Sequence, residues 1–156
     1  MKVKRVLVIA FCFLLAFIAI RFLNQGIWDK NEILLKDEVL SIDEDTAFVN
    51  LSDITPFEWD TVYTFSPYMP KDFIYSTVGY KWDHISAGVS ENMDQIVFLK
   101  DGKVVCHLYG YPSNNRYSIQ IVGNAYKNGV NILKSDDDLN FLVNRNNGIV
   151  YLKQMK

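Results

Sequence analysis

The feature that most constrains this chain is an uncharged hydrophobic run near its N-terminus. Val6–Ile20 spans fifteen residues without a charge, and the basic stretch 2–5 precedes it. An α-helix rises about 1.5 Å per residue, so this run alone covers about 22 Å of a hydrocarbon core of about 30 Å. Extension to Leu23 closes the gap, because Arg21 can place its long side chain among the headgroups. The pattern predicts a transmembrane helix over Val6–Leu23 that binds the lipid bilayer.

A cleaved signal peptide and a lipoprotein signal are the alternatives to this anchor. Signal peptidase favours small residues at positions −1 and −3, and the best site, after Ala19, has Phe17 at −3. A lipoprotein needs small residues before its acylated cysteine, whereas Phe11 precedes Cys12. The sequence therefore favours an uncleaved, single-pass signal-anchor. Because the basic flank is N-terminal, we expect a cytoplasmic N-terminus in the cell membrane and an extracytoplasmic domain.

Charge separates the anchor from the rest of the chain. The 16 basic residues include four at positions 2, 4, 5 and 21, so 12 remain against 18 acidic residues, a net charge near −6. Nucleic acid should repel such a domain, and we do not expect a nucleic-acid partner. Cys12 lies in the anchor and Cys106 in an apolar stretch, so we expect no disulfide between them and a buried Cys106.

The remaining chain divides at about residue 46. Residues 24–45 alternate between polar and apolar positions and predict a juxtamembrane connector, as either a helix or a strand. Residues 46–156 predict one domain. Its first clear pattern is a half-buried strand over 57–66, in which Phe57, Trp59, Tyr63 and Phe65 share one face.

Turn chemistry defines the next elements. Pro70 and Gly79 suit the two ends of a short helix. Asp101-Gly102 is typical of a type I′ hairpin turn, with Leu99 opposite Val104, Val97 opposite Cys106 and His107 opposite Ile96. Both faces of this hairpin are apolar, so we expect cover on each side, the short helix being one cover.

The segment after this hairpin predicts further strands over 117–122 and 130–133. A closing hairpin turns at Asn146-Asn147-Gly148. These elements predict an α+β domain. Its antiparallel sheet should have five or six strands, with one or two short helices on a face.

The stretch over residues 53–68, DITPFEWDTVYTFSPY, resembles a group of small bacterial extracytoplasmic proteins that are membrane- or lipid-anchored and mostly uncharacterised. The resemblance covers residues 46–153, and its most specific part is Trp59-Asp60 followed by Tyr63, Phe65 and Pro67-Tyr68. It implies location and fold rather than an activity.

Reactive residues are few. His84 and His107 are the only histidines, and neither occurs in a metal-ligand or nucleophile motif. The run Asp136–Asp138 lacks the spacing of a calcium loop and suits a solvated turn. The sequence therefore predicts no cofactor, no metal and no enzyme activity.

We predict a non-enzymatic interaction module, such as an accessory, inhibitor or immunity-like protein, with an envelope or secreted protein as partner. Its candidate partner surface is aromatic and acidic: Asp60, Tyr68, Tyr80, Trp82 and Asp83. A structural role for Trp59-Asp60, with Trp59 in the core and Asp60 bound to nearby backbone, is the competing interpretation. The alternative function is a cell-envelope hydrolase whose pocket gathers His84 or His107 with carboxylates.

Overall fold

The computed structural model of the protein describes residues 26–122 and 125–155. The predicted anchor over Val6–Leu23 lies outside these residues. None of the helices in the described part is long and apolar enough to cross a membrane.

The described chain forms three helices and nine strands. The helices are α1 (Ile27–Ser41), α2 (Lys71–Val78) and α3 (Pro112–Asn115). The strands are β1 (Phe48–Asn50), β2 (Thr61–Phe65), β3 (Asp94–Lys100), β4 (Lys103–Gly110), β5 (Tyr117–Gln120), β6 (Ala125–Lys127), β7 (Val130–Lys134), β8 (Asn140–Asn146) and β9 (Ile149–Gln154).

The α+β class is confirmed, but the expectation of a single sheet is wrong. A five-stranded antiparallel sheet has the order β4-β3-β2-β7-β6, and a four-stranded sheet has the order β1-β8-β9-β5. The second sheet includes one parallel pair, β5 with β9, in which Tyr117 is opposite Val150. Parallel strands need a long connection. Here the chain from β5 to β9 passes through β6 and β7 of the five-stranded sheet and then through β8.

The two sheets face each other across the larger core. Phe98 and Leu133 of the five-stranded sheet meet Phe141 and Leu152 of the four-stranded sheet, and all four side chains are fully buried. A second core lies on the other face of the five-stranded sheet, where α2 and the loop after it supply four buried side chains: Ile74, Val78, Trp82 and Ile85. The predicted helix and its role as a cover are thus confirmed.

The predicted connector over residues 24–45, which suits either a helix or a strand, contains the helix α1. This helix is an integral part of the fold. Leu35 and Val39 are fully buried in the larger core. The helix packs against the edge strand β4 and reaches β5. Asn31 donates a hydrogen bond of 2.8 Å from Nδ2 to the backbone oxygen of Val105, so it satisfies an edge-strand carbonyl that no strand pairs.

The first hairpin forms as predicted at its turn but not along its length. Asp101-Gly102 joins β3 and β4, both with positive φ, and Leu99 is opposite Val104. A β-bulge at Val105 then shifts the register, so Phe98 is opposite Cys106 and Val97 is opposite His107. The predicted pairings of His107 with Ile96 and of Val97 with Cys106 are therefore wrong. The extra residue lets both Val105 and Cys106 pack toward the larger core.

The predicted strand over 57–66 begins only at Thr61, and its aromatic residues do not share a face. Trp59 and Phe57 pack in the larger core, whereas Tyr63 and Phe65 belong to the second core. The paired register begins at Thr61, and Asp60 continues it only with single backbone hydrogen bonds to Leu99 and Ser135. Period-two alternation does not extend across that position.

Candidate functional site

The predicted partner surface is not assembled as one patch. Trp82 is buried, only 6 % exposed, and its ring lies between Trp28, His84 and His107 at centroid distances of 5.2, 5.4 and 5.1 Å. Asp83 is exposed and lies 3.7 Å from the Lys81 ammonium. Trp82 is therefore a core residue of the loop and not an exposed aromatic contact.

The other three residues of that surface have separate positions. Asp60 accepts a hydrogen bond of 2.7 Å from the Asp101 backbone N–H at the hairpin turn. The Tyr80 hydroxyl accepts one of 2.9 Å from the Val104 N–H, while Tyr68 follows the opposite end of β2 and is 61 % exposed. The structural roles of Trp59 in the core and Asp60 at nearby backbone are both observed.

The two histidines flank Trp82 and do not form a catalytic pocket with carboxylates. His84 is exposed and stacks at 4.5 Å from Trp28. His107 contacts Gln95 at 3.4 Å between Nε2 atoms. Burial, and secondarily His84, lowers the pKa of His107 to about 4, so His107 stays neutral at physiological pH.

A different part of the molecule has the features of a site. The face of the four-stranded sheet that points away from the larger core is largely exposed, except that Ser118 at its β5 end is buried against Asp94 of β3. We call it the outer face. Two rows of side chains cross it in register: Phe48, Leu142, Lys153 and Gln120 in one, and Asn144, Tyr151 and Ser118 in the other.

Two clefts open beside this outer face. The larger one, about 520 Å³, lies at the β5–β9 side and is also lined by residues 91–94 and by the connection from β4 into α3. The other, about 450 Å³, is mostly apolar and is lined by Leu142, Lys153 and Met155, among others. Exposed apolar side chains border this region, since Phe48 is 55 % exposed and Met155 is 41 % exposed. Clefts of this size suit ligand or side-chain binding.

Asp94 is the carboxylate at the back of the larger cleft, which we call the Asp94 cleft. It is the first residue of β3, and its Oδ1 accepts a hydrogen bond of 3.1 Å from the Ser118 hydroxyl of β5. Its Oδ2 is buried and has no hydrogen-bond partner among the described residues. Burial raises the pKa of Asp94 to about 6, while the Ser118 hydrogen bond opposes that rise. A carboxyl perturbed in this way inside a cleft is typical of functional sites.

A group of buried and half-buried ionisable side chains lies next to Asp94. Tyr117 is fully buried, and its ionisable neighbours are Glu32 of α1, Cys106 of β4 and Asp94. Burial raises the pKa of Glu32, of Cys106 and of Tyr117 above their ordinary values. Cys106 is thus a buried neutral thiol, as its apolar stretch predicts, and it is not an activated nucleophile.

The sequence analysis did not identify Asp94 or Ser118. Asp94 ends a polar loop and precedes a buried strand, a position at which acidic residues are ordinary. Ser118 offers a weak signal, because it lies between apolar Tyr117 and Ile119 within a predicted strand. The two residues are 24 positions apart, and only the fold brings them together.

Within the described residues, no group of three or more histidine, cysteine, aspartate or glutamate side chains is arranged to hold a metal ion. Comparisons with protein-family models, with curated proteins and with solved structures found no match to this chain. The resemblance of residues 46–153 to bacterial extracytoplasmic proteins therefore stays a prediction.

Proposed function

We propose that this protein is a membrane-anchored extracytoplasmic module that binds another envelope or secreted protein through its outer face. The observation that carries the proposal is the largely exposed outer face of the four-stranded sheet with two clefts beside it. Both faces of the five-stranded sheet and the inner face of the four-stranded sheet are packed in the two cores. The outer face is therefore the broad surface that the fold leaves for a partner.

The composition of the outer face supports a protein partner. It combines an exposed aromatic side chain, Phe48, with the aliphatic Leu142 and the polar Asn144, Tyr151 and Gln120. Protein interfaces commonly mix aromatic anchors with polar groups in this way. Phe48 also lies on the edge strand β1, where a partner can reach both the side chain and the strand edge.

The position of α1 supports close tethering. The predicted anchor ends at Leu23, and α1 begins at Ile27, so three residues separate the two. Because α1 is packed into the core, it cannot act as a flexible spacer. We infer that the domain is held near the bilayer, while its net negative charge is repelled by anionic headgroups.

Site-specific photo-crosslinking in membranes tests this function. Benzoylphenylalanine at Phe48 or at Tyr111, which is 38 % exposed at the Asp94 cleft, should cross-link a partner of defined mass. The same group at Ser76 on α2 is the matched control, since α2 covers the opposite side of the five-stranded sheet. Cross-links from Ser76 alone, or equal cross-links from all three positions, would contradict the proposal.

A hydrolase is the second candidate, and Asp94 is the observation that favours it. A carboxyl with a pKa of about 6 can exchange a proton near neutral pH, as general acids and bases do. The histidine-based pocket expected for such an enzyme is not the Asp94 cleft, since neither histidine lines it. Turnover of cell-wall fragments that is lost in Asp94→Asn and kept in Asp72→Asn would favour the hydrolase over the binding module.

A further inference from the structure

The free edge of the four-stranded sheet, at β1, has backbone groups without partners. The Ala47 carbonyl and the Leu51 N–H each form a hydrogen bond of 2.8 Å with the backbone of residues 139–143. Alternate residues of an antiparallel strand direct their N–H and C=O groups to opposite sides, so Phe48 and Asn50 direct theirs away from β8. The Asn50 carbonyl binds an N–H of the following turn. The Phe48 N–H, the Phe48 carbonyl and the Asn50 N–H thus have no backbone partner among the described residues.

These groups lie on an accessible edge. Ala47 is exposed and Phe48 is 55 % exposed, and β1 is the last strand at its side of the sheet. The edge strand β4 differs, because α1 packs against it and Asn31 binds the Val105 carbonyl. A donor, an acceptor and a donor in a row along an extended backbone match another extended backbone. The edge at β1 therefore suits the addition of a strand.

Acidic side chains flank this edge. Residues 43–45 are Asp-Glu-Asp, just before β1, and Asp53 follows it; all four are exposed. Arg145 donates hydrogen bonds of 2.7–3.4 Å to the carbonyl oxygens of residues 42–44, so the acidic segment is held in place beside β8. The charge of Arg145 offsets only part of theirs. Electrostatic complementarity therefore favours a basic segment at this edge.

The same charges oppose pairing with a second copy of this chain. Two β1 strands that pair antiparallel about Phe48 would bring residues 43–45 of each copy toward Asp53 of the other. Like charges across such a pair are destabilising, and proteins use charged flanks to limit edge-to-edge association. A basic segment of another protein meets no such repulsion.

Phe48 indicates what the added strand would carry at its centre. Its neighbour across the ladder on the outer face is Leu142, which lines the apolar cleft of about 450 Å³ together with Met155. Side chains directly opposite on neighbouring strands contact each other. An apolar side chain of the added strand would therefore cover Phe48, which the fold itself leaves in water.

We propose that β1 binds an extended segment of the partner protein, which adds a strand to the four-stranded sheet. The segment carries an apolar side chain beside Phe48 and basic side chains toward residues 43–45. This inference rests on the proposed function, because it names how the partner protein is bound at the rim of the outer face.

Titration of the purified full chain in detergent with the peptide acetyl-Lys-Val-Lys-Val-Lys-amide, followed by NMR, tests the inference. The amide signals of Phe48 and Asn50 should shift, and their hydrogen exchange should slow, because both N–H groups gain an acceptor. The matched probe has N-methyl groups on its second and third residues, one on each edge, with the same charge and side chains. It should bind about tenfold more weakly, the change that the loss of one or two hydrogen bonds produces. Equal binding of the two peptides, shifts confined to other strands, or no binding at millimolar concentration would overturn the proposal.

Two substitutions at one position separate the backbone from the side chain. Phe48→Ala removes the ring and keeps the N–H, whereas Phe48→Pro removes both. Edge strands tolerate proline where the N–H points away from the ladder, so both variants should fold. Phe48→Pro should bind the peptide about fivefold to tenfold more weakly than Phe48→Ala because it lacks one donor. Equal binding by the two variants would refute the backbone hydrogen bond, and if Phe48→Pro does not fold, the two peptides on the unaltered chain decide the question.

Charge substitutions test the basic character of the segment. Glu44→Gln combined with Asp45→Asn should weaken binding of the lysine peptide about threefold to tenfold. Asp72→Asn combined with Asp83→Asn is the matched control, since it removes the same charge from exposed positions on α2 and in the loop after it, and it should leave binding unchanged. An equal loss in both double variants, or equal binding of a peptide with glutamate in place of lysine, would refute the basic segment.

The two proposals can fail separately. Cross-links from Phe48 in membranes, together with equal binding of the two peptides, would leave the interaction module standing and refute strand addition. Preferential binding of the unmethylated peptide without cross-links would do the reverse. A dimer of the full chain that is lost in Phe48→Pro and kept in Phe48→Ala would assign the edge to a second copy, and it too would refute the assignment to a partner segment.

Discussion

Asp94→Asn should change how the stability of the protein depends on pH. In the fold the pKa of Asp94 is raised from 3.8 to about 6, chiefly by burial. A raised pKa means that the folded state disfavours the ionised carboxylate, so Asp94 destabilises the fold above pH 6. That cost shrinks as the pH falls from 6 and disappears below the unfolded value of 3.8, where both states are protonated.

The size of this effect follows from the shift. About two pKa units correspond to about 3 kcal/mol, at 1.36 kcal/mol per unit, and most of it lies between pH 4 and pH 8. The asparagine variant does not titrate. Its free energy of unfolding, relative to that of the unaltered protein, should therefore be about 2–3 kcal/mol higher at pH 8 than at pH 4. Any constant cost of burying the amide cancels in this comparison.

Urea denaturation of the full chain in detergent, followed by tryptophan fluorescence from pH 4 to pH 8, measures this difference. Trp28, Trp59 and Trp82 all pack against other side chains in the fold and should report unfolding. Asp72→Asn is the control, because Asp72 is exposed on α2. A difference between variant and unaltered protein that does not vary with pH would refute the burial of Asp94 as the cause.

Two further predictions concern the fold itself. Leu35→Ala should cost about 2–5 kcal/mol in the free energy of unfolding because Leu35 is fully buried, whereas Leu34→Ala should stay within about 0.5 kcal/mol because Leu34 is 46 % exposed. Equal effects in urea denaturation would show that α1 is not packed in the core. Gly148→Ala should cost about 1–2 kcal/mol because its φ is +75° in open space. Gly129→Ala should cost more because its φ is +83° and a Cβ there would also lie 3.3 Å from Ser66 Cβ. Equal unfolding free energies for the two glycine variants would contradict the crowding at Gly129.

Local chemistry made several elements predictable. Pro70 and Gly79 mark the ends of α2, and Gly79 has the left-handed conformation that favours glycine at a helix end. Asp101-Gly102 and Asn147-Gly148 form the two predicted hairpin turns, all four residues with positive φ. These features depend on residues within one turn of each other, so no tertiary contact is needed to specify them.

Features that depend on distant packing were not predictable. The bulge at Val105 shifts the register of β4 where α1 contributes a hydrogen bond to the Val105 carbonyl. The second sheet depends on the parallel pairing of β5 with β9, which no local pattern encodes. The aromatic residues before Thr61 pack in the larger core and those after it pack in the second core, a division that period-two alternation does not predict.

The length of the N-terminal hydrophobic run and the net charge of the rest of the chain are determined by the sequence alone, because neither depends on the fold. They determine the predicted anchor, the predicted location and the acidic character of the domain. The candidate site was decided only by the tertiary structure. Asp94 and Ser118 carry little signal separately, and they become a hydrogen-bonded pair because β3 and β5 belong to different sheets that meet at one cleft. Burial and pairing across 24 residues are properties of packing, and packing is what raises the pKa of Asp94 and leaves its second oxygen without a hydrogen bond among the described residues.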